Sequence, residues 1–359
     1  MERAQPNRDP HPPTDPPVDE PIEPKLALLR RPETYREGAS RVEVVETHMS
    51  WVFLTDRSVY KLKKPIVWDR LDFSTVERRR FCCEEEVRLN RRLAPAVYRG
   101  TRALTREPGG GLALDGRGRP VDWLVEMERL PADRMLDRRL AAAAIRVDEV
   151  RDAAGLLARF FADARPVPIG LDALRARFEA GIVEDRDALR RPEFDLPRAR
   201  VDAIAERQLA FLRERPDLIV ERIRAHRIVD GHGDLRPEHV GLTRPLPVVI
   251  DCLEFCAELR ELDPFDELGF LALECERLGQ PRIGPVFVEA YARASRDRIA
   301  PALAAFYRDH RILRRARLAA WHLTDPGTRE PERFARRARH YLALAGPTPR
   351  RAGALGPMA

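Results

Sequence analysis

Lysine is nearly missing from this chain. Of its 64 basic residues only Lys25, Lys61, Lys63 and Lys64 are lysines and the other 60 are arginines. Three of the four lysines fall within four residues. A sequence that writes arginine almost everywhere else keeps lysine where a compact ammonium is wanted rather than a planar fork; a solvated hairpin edge is the plainer reading. Cysteine is scarce as well. There are five in 359 residues (Cys82, Cys83, Cys252, Cys256, Cys275), an odd number without CxxC spacing. Neither a disulfide framework nor a zinc ribbon is suggested, and reduced, mostly buried thiols are expected. No apolar run approaches the ~18 to 20 residues of a membrane span, and the proline-rich, acidic start is the reverse of a signal peptide. The expectation is a soluble, cytoplasmic protein without a membrane partner.

Charge and apolar residues are both present in quantity. With 44% hydrophobic and 34% charged residues and a net charge of +6, the chain can fill one large two-lobed domain or two smaller ones. Residues 1–24 hold eight prolines and six acids against two arginines, which predicts a disordered leader. A short helix is expected from Lys25 to Leu29. The runs Ser50–Thr55 and Ser58–Lys63, rich in aromatic and β-branched residues around Asp56-Arg57, predict a β-hairpin. Phe73 to Leu93 reads as a helix capped by Ser74 and stopped by Pro95, with Val76, Phe81, Val87, Leu89 and Leu93 as its packed positions. Val121 to Met127 reads as a buried strand. From Pro131 strand signals nearly vanish, and helical spacing dominates apart from one β island at 228–255. The layout is an α+β plan in two lobes.

The β island carries the chemistry. It reads His232-Gly-Asp-Leu-Arg-Pro-Glu-His239, then Pro247-Val-Val-Ile-Asp251. Two short apolar runs each deliver an acid at a loop, Asp234 and Asp251. Carboxylates placed so can converge, one taking a proton and the other holding Mg²⁺. A turn cap and a strand-end salt bridge are the plainer readings.

HGDLRPEH followed by VVID resembles the catalytic and metal loops of the protein-kinase-like superfamily, and the HGD form with IDC resembles the aminoglycoside phosphotransferase family. Other parts fall in chain order: the lysine hairpin VYKLK, a helix with Glu86, a hinge-like strand end MERL (127–130), and LDPFDELGF, in which Asp266 would brace the 232–239 loop. The resemblance implies a protein-kinase-like fold. It divides the chain into the leader (1–24), a sheet-bearing lobe at 25–128, and a helical lobe at 129–345 whose insertion at about 166–227 forms the acceptor site; residues 346–359 make a disordered tail. It implies ATP and Mg²⁺ as cofactors and a small-molecule hydroxyl as phosphate acceptor. Asp234 would be the base, Arg236 a cation near the transferring phosphoryl, and Asp251 the metal ligand. Lys63, with Lys61 as alternative, would hold the phosphates, paired with Glu86 or, failing that, Glu85. Met127 and Glu128 would lie by the adenine. The nearest likeness is to the kinase-like half of bacterial fusions with a P-loop ATPase. No GxxxxGK[ST] occurs here, so a separate P-loop ATPase is the implied candidate partner.

Two departures from the family pattern stand out. His239 occupies the position of the family's metal-binding Asn; imidazole is a poor ligand for Mg²⁺, so the second metal would be lost, weakened or held by another acid such as Glu254. The loop Thr47-His-Met-Ser50 contains no glycine, leaving the hydroxyls of Ser50 or Thr47 to stand in for phosphate-binding amides. Two rival readings remain. One is a nucleotide-binding pseudokinase. The other, a nucleic-acid binder, draws on twelve arginines against four acids between Arg308 and Arg351; the interleaved Trp321, Leu323, Phe334, Tyr341 and Leu342 favour amphipathic helices with arginines on the wet face instead.

Overall fold

The computed structural model describes residues 20–346 apart from 69, 325–327 and 329. Most of the expected leader and all but the first residue of the expected tail lie outside the described residues. The chain divides into two compact units. One runs up to Val87 and includes Ala96–Arg129; the other takes Arg88–Pro95 and the chain from Leu130 onward.

The first unit opens with helix α1 (Ile22–Leu29), which starts three residues before Lys25. Pro21 and Pro24 fall before or within its first turn, where a missing N–H costs no helical bond. There follow β1 (Glu43–Glu46), β2 (Ser50–Leu54), β3 (Ser58–Lys63), the short pair β4 (Val67–Trp68) and β5 (Leu71–Asp72), α2 (Val76–Asn90), β6 (Tyr98–Arg106), β7 (Leu112–Leu114) and β8 (Arg119–Glu128). Six of the strands form an antiparallel sheet in the order β1-β2-β3-β8-β6-β7. The expected hairpin is present, with Ser50 opposite Lys63 and Leu54 opposite Val59. Thr55 closes its turn, accepting from Ser58 N and donating to Ser58 O, both at 2.9 Å. Alternation along β3 sends Tyr60 and Leu62 into a core with Phe53, Leu124 and the α1 residues Leu26 and Leu29. Lys61 and Lys63 are left on the opposite face.

Helix α2 departs from expectation at its cap and on its packed face. Thr75 caps it, its Oγ1 accepting from Arg78 N at 3.2 Å, while Ser74 is engaged by Asp72 through N (3.0 Å) and Oγ (2.6 Å). The helix ends at Asn90, short of Pro95. Phe81 is 61% exposed. Val87, Leu89 and Leu93 are buried as expected, and Arg79, Cys83 and Glu86 are buried beside them. Arg79 sets that rotation by donating to Asp122 Oδ1 (2.8 Å) and Phe73 O (2.9 Å), and a residue two positions on then faces the other way.

The second unit is mainly helical: α3 (Leu136–Ala141), α4 (Val147–Asp163), α5 (Leu171–Leu189), α6 (Arg198–Glu214), α7 (Pro216–Arg224), then β9 (Val229–Asp230), β10 (Val240–Gly241), β11 (Val248–Val249), β12 (Glu261–Leu262), and α8 (Pro264–Arg277), α9 (Gly284–Ser295), α10 (Pro301–Trp321) and α11 (Pro331–Leu344). The β island is two antiparallel two-residue ladders, β10 with β11 and β9 with β12. One core gathers Leu157, Phe161, Leu268, Phe287 and Tyr291; another gathers Ile204, Leu212, Phe306, Leu313 and Tyr341. The arginines of α10 are not a wet stripe. Arg311 grips Asp266 with two bonds (2.8 and 2.7 Å), Arg317 lies 2.6 Å from the buried Asp185, and Arg315 lies 3.4 Å from the buried Glu274. Buried carboxylates on α5 and α8 require these cations, so the long side chains turn inward. All five cysteines are free, four of them buried. No helix among the described residues is long and apolar enough to cross a membrane.

Candidate active site

In the first unit, strand β3 and helix α2 bring both candidate lysines to one acid. Lys63 Nζ lies 2.6 Å from Glu86 Oε2 and Lys61 Nζ 3.0 Å from Oε1. Lys63 and Glu86 are buried, at 1% and 0% exposure, whereas Lys61 keeps 17%. Lys63 also rests over the Phe73 ring at 4.9 Å, a contact that favours a fixed cation. Ser50 is the cross-strand partner of Lys63 and so shares its face of the sheet. The Ser50 hydroxyl is buried and has no hydrogen-bond partner among the described residues. Thr47 is differently committed: its hydroxyl donates to Ser50 O and accepts from Ser50 N, closing the β1–β2 turn. At the end of β8, Met127 lies opposite Val59, and Glu128 N donates to Val97 O at 2.8 Å. The next amide, Arg129 N, donates to Arg57 O. A base recognised through these amides would have to displace a bond.

In the second unit two loops are laced together. Ile250 N donates to His239 O (2.9 Å) and Leu253 N to His232 O (3.0 Å), while Cys252 N donates to Asn90 Oδ1 (2.8 Å). His232 Nε2 is 2.9 Å from Ile250 O, and Asp234 N donates to His232 Nδ1, so the ring carries its proton on Nε2. Burial, with His239 close by, pushes the His232 pKa down to about 3 and keeps the ring neutral. Asp251 stands two residues past β11, not at its end, in the left-handed region at φ 63°. That conformation costs a non-glycine residue on the order of 1 kcal/mol, and the flanking bonds over-determine it.

These loops gather Asp234, Arg236, His239 and Asp251. Arg236 Nε donates to Asp234 Oδ2 (3.0 Å), and Arg236 Nη2 is 3.1 Å from His239 Nε2. His239 Nε2 is in turn 3.4 Å from Asp251 Oδ2. Burial works against the charge on Asp234, yet the Arg236 guanidinium, followed by His239 and Arg315, holds the carboxyl below its ordinary value. Asp251 is 43% exposed and offers oxygen donors, as a hard divalent ion requires. Among the described residues no three His, Cys, Asp or Glu side chains are grouped to hold a metal by themselves. An ion such as Mg²⁺ that binds through one carboxylate and the phosphates of a ligand needs no such group. His239 does not fit as a ligand for such an ion, because a guanidinium N–H already points at its lone pair.

The brace of the 232–239 loop is Glu267, not Asp266. Its Oε2 accepts from His232 N at 2.8 Å and its Oε1 from Gly233 N. Asp266 faces α10 and Arg311. Adjacent helical positions diverge by 100°, so only one of two neighbouring acids can face the loop, and nothing in the sequence says which. Gly231 belongs to the same device: a Cβ there would lie 2.6 Å from Glu267 Oε2. Asn90 was likewise invisible in the sequence, being one polar residue in a highly charged helix.

The comparisons with known proteins agree with this architecture. No family model matches the sequence. The uncharacterized protein Rv2004c of Mycobacterium tuberculosis (strain ATCC 25618 / H37Rv) is 34% identical over 316 residues, covering 84% of this chain and 58% of the relative. The chain therefore spans little more than half the length of the curated relatives it matches. Among solved structures, a choline/ethanolamine kinase family protein from Mesorhizobium loti aligns over 90% of this chain and 95% of its own, at 14% identity and TM-score 0.51. The GDP complex of aminoglycoside 2'-phosphotransferase-IIIa aligns over 85% of this chain and 93% of its own, at 14% identity and TM-score 0.50. The chain has the protein-kinase-like α+β fold, a sheet-bearing lobe followed by a helical one.

Proposed function

We propose that the chain is a phosphotransferase that moves the γ-phosphoryl group of ATP to a hydroxyl of a small-molecule acceptor. The observation that carries this reading is the gathering of Asp234, Arg236, His239 and Asp251 on two loops held by backbone bonds. The buried Lys63–Glu86 pair is the second support, and both solved structures above are kinases or phosphotransferases by name, one holding GDP.

Each residue then has a task. Glu86 fixes the Lys63 ammonium for the phosphate oxygens, and Lys61 flanks it from a more exposed position. Asp251 is the oxygen ligand for a magnesium ion, which when bound neutralises charge on the phosphates. Asp234 accepts a hydrogen bond from the acceptor hydroxyl and aims its oxygen. Held below the ordinary carboxylate range, it is a weak proton acceptor before the reaction, so orientation comes first. The proton follows as bonding to phosphorus develops, in keeping with a loose transition state. Arg236 offsets charge on the phosphoryl group in transit. The acceptor would be selected by the α5–α7 segment, which lies within the 166–227 region. In the arginine stripe behind the nucleic-acid reading, Arg311, Arg315 and Arg317 of α10 are engaged with carboxylates on α5 and α8.

The test is incubation with γ-labelled ATP and a metabolite extract, followed by mass identification of labelled products. A labelled small molecule formed only in the presence of the protein is the expected result. Bound ATP with no labelled product across the extract would favour a nucleotide-binding protein without turnover.

A further inference from the structure

His239 is the residue that breaks the pattern of the 232–239 loop, and its hydrogen bonds define its role. Its Nδ1 lies 2.8 Å from Asp234 O, a carbonyl that only accepts, so Nδ1 carries the proton. Its Nε2 lies 3.1 Å from Arg236 Nη2, a group that only donates, so Nε2 supplies a lone pair. Nε2 is also 3.4 Å from Asp251 Oδ2, so this edge of the ring lies between the guanidinium and that carboxylate. The guanidinium is then docked at two edges, Nε on Asp234 Oδ2 (3.0 Å) and Nη2 on the imidazole. The ring is almost fully buried, while Arg236 remains partly open.

We propose that Arg236, docked on His239, replaces a second metal ion, so that the chain binds its nucleotide with a single divalent ion on Asp251. This rests on the phosphotransferase reading. Where a loop of this kind carries asparagine at the position of His239, the amide oxygen is a metal ligand and two ions serve the phosphates. Here the equivalent lone pair belongs to nitrogen, which a hard ion binds poorly, and it is already taken by an N–H. An ion at that point would also face the guanidinium charge at close range. The positive charge that a second ion would bring is built into the chain. His239 is thus a positioning residue that aims Arg236.

Counting bound Mn²⁺ by electron paramagnetic resonance, on the full chain with a non-hydrolysable ATP analogue, tests this. Mn²⁺ tolerates imidazole better than Mg²⁺ does, so it is the more demanding probe. The wild type is expected to bind one Mn²⁺ per bound nucleotide. His239→Asn supplies an oxygen and frees the guanidinium, so its count should rise to two. Arg236→Ala, at a partly open position, should also raise the count and serves if His239→Asn does not fold. Two ions in the wild type overturn the inference and leave the phosphotransferase reading intact. One ion in the wild type and in every folded variant overturns it equally. Failure of the wild type to bind nucleotide overturns both.

Discussion

Glu267 joins two demands that conflict at the scale of a single residue. Its carboxylate must accept two backbone N–H groups, yet burial pushes its pKa up to about 7, against the pull of those amides and of Arg311. The unfolded group titrates near 4.5, so between about 4.5 and 7 the folded state holds the extra proton. Its contribution to stability therefore falls as pH rises through that window. Glu267→Gln removes the effect: urea denaturation at pH 5 and pH 8 should show the variant gaining on the wild type at the higher pH. A difference independent of pH would contradict this. His232 works in the opposite sense. Its folded pKa is depressed, so its contribution is present above about 6.5 and is lost as pH falls toward 3. The two lysines make a second residue-scale prediction. Loss of a buried charge-assisted contact costs about 1.5–3 kcal/mol, or roughly tenfold to hundredfold in affinity. Lys63→Met should weaken binding of a fluorescent ATP analogue by that amount, and Lys61→Met by about fivefold or less. Equal losses would reassign the phosphate lysine. The sequence narrowed the choice to this pair because lysine is rare here. It did not decide between them, since a period of two puts both on one face and Glu86 touches both.

Among the elements, α2 shows how buried charge helps to orient a highly charged helix. Arg79 and Lys25 converge on Asp122, at 2.8 and 2.7 Å, with all three buried. The cluster ties α1, α2 and β8 together and sets the rotation that aims Glu86 at Lys63. Asp122→Ala would leave two buried cations without their carboxylate, a loss of about 3–5 kcal/mol by analogy with other buried pairs. Chemical denaturation measures it, and a loss under about 1 kcal/mol would mean that the cluster does not orient the helix. The hairpin and the long helices were legible because β-branched runs, prolines and helical spacing extend over many residues. The β island at 228–255 was read and holds β9, β10 and β11, but the pairing of its ladders and β12 outside it were not, since two paired residues leave no period to detect. The cap was missed by one position because Ser74 and Thr75 are adjacent hydroxyls, and only the Asp72 carboxylate takes Ser74 out of contention.

Across the whole molecule, arginine serves as an internal counter-ion. Arg222 bonds Asp263 (2.6 and 3.0 Å) and Asp297 (2.6 and 2.7 Å), joining α7 to the start of α8 and the end of α9. Asp263 also caps α8, accepting from Phe265 N at 2.9 Å. A composition count sees these arginines as surplus positive charge. Only the three-dimensional pairing shows that they face carboxylates, which is why the wet arginine face read from the sequence fails on α10, although Arg333, Arg336 and Arg339 do lie exposed on α11. The local order of motifs carried the fold; the partner of each buried charge lies far away in the chain and left no sequence signal.

The most direct test of the central claim is γ-phosphoryl transfer by Asp234→Asn beside the wild type, with nucleotide affinity measured on the same preparations. Transfer should fall by about 10² to 10⁴ with affinity for the nucleotide retained. Undiminished transfer in the variant would contradict the claim.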